Sequence, residues 1–255
     1  MRNTWIICQK ELRSYFVSPV AYLLLTMFSL IFGYFFWVLV TYFDRTGMEA
    51  QMRGQSMPMN LNEQIIRPLL GNMGVISLFF IPMITMRLFA EEKRTGTIEL
   101  LATSPIRDIE IVLGKWLASV MLYAAMLLFT GLNLIFLFRY GNPDWKPLAV
   151  GYLGWILQAA GMLAVGTFIS TLTKNQIIAG AGTFAACLML WIFSWAGGLD
   201  AGTWAKVLSY ISVTEHSESF AKGVIDSRDL IYYVSLIFLG LFLTARSLES
   251  LRWRS

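Results

Sequence analysis

The chain has 255 residues, of which 56% are hydrophobic, 15% aromatic and only 14% charged, with a mean hydropathy of +0.60. Soluble domains carry about 25% charged residues, so this composition excludes an ordinary water-soluble globule and indicates a membrane protein. The net charge of +4 does not imply nucleic acid, because the cations are scattered between apolar spans. One histidine and two isolated cysteines exclude a multi-histidine metal site and a disulfide framework.

Residues 3–18 have the pattern of an amphipathic helix. Trp5, Cys8, Leu12, Tyr15 and Phe16 recur at helical spacing, with Lys10, Glu11, Arg13 and Ser14 on the other side. Pro19 ends this segment, which is expected to lie flat under the bilayer. The first apolar run starts only near Val20 and has no small-residue cleavage site behind a short core, so no cleavable signal is expected.

Crossing about 30 Å of hydrocarbon takes roughly 20 helical residues. Six windows qualify, at residues 20–42, 69–86, 116–138, 148–170, 177–195 and 230–245, and Pro82 is expected to kink the second. None of them holds Asp, Glu, Lys, Arg or His. Ion-coupled transporters place ionisable groups at membrane depth, so this interior argues against one. It argues equally against an intramembrane hydrolase, and no HExxH or GxSxG motif occurs. No GxxxxGK[ST] phosphate loop is present, so ATP hydrolysis is not expected on this chain.

The segments between the spans follow in order. Residues 43–68 form a polar outer segment with Met48, Met52, Met57 and Met59. Clustered methionine suits Cu(I), but with no His or Cys beside it the expectation is flexible apolar contact. Residues 87–115 form the first inner segment. Gly96 breaks the descending helix there, and Thr95 or Thr97 caps a new short one with Ile98, Leu100 and Leu101 as its apolar contacts. Ser104-Pro105 then restarts a helix, with Asp108 and Glu110 in its first turn. Residues 196–229 are expected to hold short helices dipping into the outer leaflet. Glu215, His216, Glu218, Asp226 and Asp229 in this segment are widely spaced, which points to capping and surface pairing rather than a metal.

The string Leu88-Phe89-Ala90-Glu91-Glu92-Lys93-Arg94-Thr95-Gly96-Thr97-Ile98-Glu99-Leu100-Leu101, followed by Ser104-Pro105, resembles the membrane subunits of the ABC type-2 exporter family. The likeness is closer to the gliding-motility-type branch, which includes a permease for copper maturation of nitrous oxide reductase. Leu113-Gly114-Lys115-Trp116 and Gly223-Val224-Ile225-Asp226-Ser227-Arg228-Asp229 resemble that branch too. The resemblance implies an all-α permease in the bacterial inner membrane, working as a dimer with itself or a related permease on two copies of a separate ATPase. That partner would hold ATP and Mg, and this chain would bind no cofactor. An extracytoplasmic accessory protein would also be compatible. Trp5, Lys10, Glu11, Leu12 and Arg13 would belong to the elbow helix. Glu91, Glu92, Arg94, Gly96, Thr97, Ile98, Glu99, Leu100 and Leu101 would form the coupling segment held in a groove of the ATPase. Residues 196–229 would be re-entrant helices closing the exit.

A scaffold that anchors an ATPase without moving cargo is the alternative reading. Orientation follows from the cations. With the N-terminus inside, inner segments hold twelve of the 20 lysines and arginines, including Lys93 and Lys174. Both termini are therefore expected in the cytoplasm. Single cysteines S56C and S217C, in a chain lacking Cys8 and Cys187, should react with an impermeant maleimide in intact cells whose outer membrane has been opened to the reagent. Labelling of K174C but not S56C would reverse this topology.

Overall fold

The fold is that of a computed structural model describing residues 2–54, 60–99, 106–141, 143–199 and 202–252. Its elements are α1 (Arg2–Val17), α2 (Pro19–Met52), a π-turn (Asn62–Ile66) leading into α3 (Arg67–Thr85), and α4 (Ala90–Thr95). They continue as α5 (Asp108–Tyr140), α6 (Trp145–Leu172), α7 (Gln176–Leu199), α8 (Thr203–Ile211), α9 (Val213–Ala221) and α10 (Ser227–Arg252). No strand occurs among the described residues. Six helical stretches are long and apolar enough to cross a membrane, and they contain the six expected windows.

Chain direction alternates from span to span. One face of the bundle therefore carries α1, α4 and the α6–α7 turn, and the opposite face carries α8 and α9. Two ends depart from expectation. The first outer segment is helical to Met52, because nothing stops α2 before Gly54, which adopts φ 65°. At 34 residues, α2 is about 51 Å long and overshoots the hydrocarbon. The helix expected to restart at Pro105 instead begins at Asp108, with Arg107 as an extended N-cap; Ser104 and Pro105 lie outside the described residues. Asp108 and Glu110 occupy its first turn as expected.

Around Pro82, α3 runs on for three more residues and ends at Thr85, whose hydroxyl donates to the Ile81 carbonyl at 3.0 Å. The N–H groups of Phe89 and Ala90, which begin the next helix, both donate to Ser170 Oγ of α6 at 3.1 Å. A neighbouring helix thus satisfies donors that would otherwise be orphaned.

Burial is uneven. Two-thirds of the second span's apolar window is enclosed, against 17% for the fifth and sixth, so α3 and α6 form the centre. Between lipid-immersed helices the hydrophobic effect gives little drive, and close approach of small residues takes its place. On α6, a Cβ at Gly154 would stand 2.5 Å from Phe220 of α9. On α10, a Cβ at Gly240 would stand 2.7 Å from the Ala164 backbone of α6. Neutral polar groups pair within the bundle: Ser77 Oγ with Tyr123 OH at 2.6 Å, Thr130 Oγ1 with Tyr152 OH at 2.7 Å, and Trp155 Nε1 donating to the Leu70 carbonyl at 3.0 Å.

Because backbone blocks the space at Gly240, Gly240→Ala should cost about 1–3 kcal/mol. Gly131→Ala, with nothing within 4 Å of the new carbon, should cost nothing. Thermal unfolding of the full chain in mild detergent checks the contrast.

Candidate functional site

The sequence signals concentrate on the face that carries α1 and α4, and so does the charge. Lys115 stands near the start of α5 with only 2% of its side chain exposed. Its Nζ lies 2.8 Å from Glu11 Oε1 of α1 and 2.8 Å from Glu92 Oε1 of α4. The Phe89 ring centroid is 5.3 Å from the ammonium. One cation therefore joins three elements, and the other oxygen of Glu92 is buried without a hydrogen-bond partner.

The neighbours of Lys115 explain how α1 comes so close. A Cβ on Gly114 would lie 2.8 Å from Ile7 Cβ and 2.9 Å from the Thr4 carbonyl, so only glycine admits the helix there. Trp116 Nε1 donates to the Ala160 carbonyl of α6 at 3.0 Å. At one end of α1, Asn3 Nδ2 donates to Glu110 Oε2 at 3.1 Å, and that carboxylate also accepts from the Arg107 N–H at 3.4 Å. At the other end, Tyr15 OH donates to the Ile84 carbonyl at 3.3 Å. Burial, and then the Glu11 carboxylate, push the Cys8 thiol up.

The inward stripe of α1 is therefore Ile7, Cys8, Glu11, Leu12 and Tyr15, which corrects the expected division of faces. The spacing places Glu11 on the polar side, but the Lys115 charge draws it inward. Trp5 and Phe16, which the spacing places on the apolar side, are exposed together with Ile6 and Val17. Lys10 and Arg13 are exposed.

In the coupling segment, Gly96 has φ 76° and terminates α4, in keeping with the sequence. Thr95 Oγ1 lies 2.9 Å from Thr97 Oγ1, and the Glu99 N–H donates to the Gly96 carbonyl at 3.2 Å. Arg94, Thr95, Gly96, Thr97 and Glu99 are exposed, whereas Ile98 is half-buried against the chain's own core. Glu91 meets Arg87 at 3.4 Å, a half-exposed pair worth little. Glu92 points to Lys115 rather than outward. The Lys93 ammonium donates to the Thr171 carbonyl at the end of α6. Leu100 and Leu101 lie outside the described residues. The turn at Gly96 is thus exposed while the base of the segment is fixed to α1, α5 and α6.

Lys115 is the residue that sequence reasoning missed as a functional centre, although it stands in the Leu113-Gly114-Lys115-Trp116 string and counts toward orientation. Its partner Glu11 is 104 positions away, and no local pattern announces such a contact.

On the opposite face, Asp226 caps α10 by accepting from the Arg228 N–H at 2.9 Å, and Glu218 pairs with Lys222 at 3.4 Å on the surface, both as expected. His216 and Asp229 correct that expectation, because they form a buried pair at 2.7 Å. Among the described residues, no three His, Cys, Asp or Glu side chains gather as a metal site.

A family model described as ABC-2 family transporter protein matches residues 49–245. No curated protein matches the chain.

The triad yields a pair of opposed outcomes. Lys115→Met leaves two carboxylates buried without their cation and should destabilise the chain by about 3–5 kcal/mol. Replacing all three groups together, E11Q/K115M/E92Q, should recover most of that loss, since no buried charge then lacks a partner. Thermal unfolding, and proteolytic release of α1, measure both.

Proposed function

The chain belongs to the ABC-2 family of transporter proteins, and we propose that it is the permease subunit of an ATP-driven exporter, working as a dimer on two copies of a separate cytoplasmic ATPase. The observation that carries this reading is the exposed, left-handed turn at Gly96 on a base fixed at three points. Glu92 is tied to Lys115 and Lys93 to the Thr171 carbonyl, while Ser170 holds the first N–H groups of α4. A protein that grips the tip therefore moves α1, α5 and α6 with it. A tip on a loose loop would absorb the same push.

In this reading ATP and Mg sit on the partner, and this chain supplies no catalytic group. The triad face is the cytoplasmic face of a bacterial inner membrane, with both termini inside. The resemblance at residues 88–101, 113–116 and 223–229 favours the gliding-motility-type branch, and the opposite face is where an accessory protein would meet the complex. A scaffold role differs in one measurable respect: cargo would not stimulate the ATPase in liposomes.

Gly96→Val forces a β-branched residue into a left-handed conformation that disfavours it by about 1–2 kcal/mol, although the space around the glycine is open. Leu100→Ala removes a groove anchor worth about 2 kcal/mol in such interfaces. Each should lower co-purification of the ATPase, or uncouple hydrolysis from transport, with membrane insertion unchanged. Wild-type association and export in both variants would reduce the segment to a passive turn.

A further inference from the structure

The pair on the opposite face has a geometry that fixes its protons. His216 Nε2 lies 2.9 Å from the Tyr210 carbonyl, which can only accept, so Nε2 carries a hydrogen. His216 Nδ1 lies 2.7 Å from Asp229 Oδ1. Asp229 stands in the first turn of α10, where the helix dipole favours a carboxylate, and an ionised carboxylate also only accepts. Two acceptors for two ring nitrogens require two N–H groups. Asp229 Oδ2 is buried and has no hydrogen-bond partner of its own, so His216 is the one ionic partner this carboxylate has among the described residues.

The surroundings are a closure rather than a solvent-facing surface. His216 is 5% exposed and Asp229 6%. The Tyr232 ring stacks on the imidazole at 4.0 Å, and the rings of Tyr210 and Tyr233 stand edge-on at 5.2 Å and 6.5 Å. Tyr232 OH donates to the Ile211 carbonyl at 2.6 Å, and Tyr233 OH donates to the Val213 carbonyl at 3.0 Å. The titratable groups facing His216 are thus Asp229, Tyr232 and Tyr233 from α10 and Tyr210 from α8. Among the described residues α3, α6 and α7 give the ring no hydrogen bond or ion pair. The three elements meeting at the ring are α8 through its carbonyl, α9 through His216 itself, and α10 through Asp229.

We propose that His216 is held as an imidazolium donating from both ring nitrogens, and that this doubly donating cation is the clasp closing the α8–α9 cap onto the head of α10. The cap lies over the membrane-spanning bundle at the face opposite the Gly96 tip, so opening it requires breaking the His216–Asp229 contact. The inference does not depend on the ATPase or on cargo, and its test uses neither.

His216 is the chain's one histidine. Full-length protein labelled with 15N-histidine, purified in lipid nanodiscs on a tag without histidine, therefore gives a single imidazole signal set. At about neutral pH, both ring nitrogens should show imidazolium shifts in the wild type, and D229N should return the ring to a neutral tautomer. A second readout follows the cap. Val213, the first residue of α9, is fully buried, so V213C, in a chain with C8A and C187A, should react slowly with maleimide. Adding D229N or H216Q should raise that rate about tenfold or more, because a charge-assisted hydrogen bond is lost. A neutral ring in the wild type overturns the imidazolium. Unchanged V213C labelling in both variants overturns the clasp.

Discussion

An ammonium cannot leave water without a counter-charge, and Lys115 is 2% exposed. The uncompensated penalty is several kcal/mol per ion, so two carboxylates must reach Nζ, and the chain takes them from α1 and from α4. That requirement orders the whole face. With Glu11 at 2.8 Å from the ammonium, α1 must lie along α5, and Gly114 has to be glycine for it to fit. Trp116, the next residue, bonds the same stretch of α5 to α6. Three consecutive residues, Gly114, Lys115 and Trp116, thus seat α1, hold the charge and anchor the span.

Away from that face the bundle contains neutral contacts. The hub is α6, which receives α3, α5, α7, α9 and α10. Its glycines and alanines let backbones approach where lipid gives no reason for helices to associate. The hydroxyl and indole bonds within it join uncharged groups, in keeping with a bilayer interior where an unpaired polar atom is expensive. Among the described residues, ionic contacts are confined to the two faces.

The parts of this design that were legible in the sequence are those written locally. The six spans follow from apolar length, and the turn at Gly96 follows from a glycine after a short charged helical run. The overshoot of α2 was not legible, because hydropathy marks where apolarity ends and α2 persists through polar residues to Met52. The restart at Asp108 rather than Pro105 turned on a cap geometry that a proline signal does not determine. The two buried ion pairs were the largest misses. Glu11 looked polar and outward because amphipathic counting treats every carboxylate as solvated, yet a charge on a distant helix reversed its direction. His216 and Asp229 looked like surface groups for the same reason: their burial comes from Tyr210, Tyr232 and Tyr233 closing around them, which spacing alone does not reveal.

A neutral middle between two charged ends also restricts how the ends can communicate. No chain of ionisable groups crosses the bundle, so a change at one face reaches the other only as displacement of helices. Coupling of that kind needs an element that both sites bias. The pair of α6 and α10 makes contacts at both ends. At the Gly96 face, α6 receives Lys93 on the Thr171 carbonyl, and the Thr171 hydroxyl donates to Ser247 of α10 at 2.8 Å. Toward the opposite face α10 carries Asp229, the partner of His216, while α6 carries Gly154, on which Phe220 of the cap rests. Between these ends, Gly240 seats on the Ala164 backbone and Leu236 on Gly161, with no space for one helix to slip past the other. Close packing of this kind transmits strain instead of absorbing it. Lys93 therefore stands at one end of a rigid pair of helices whose other end holds the His216 contact.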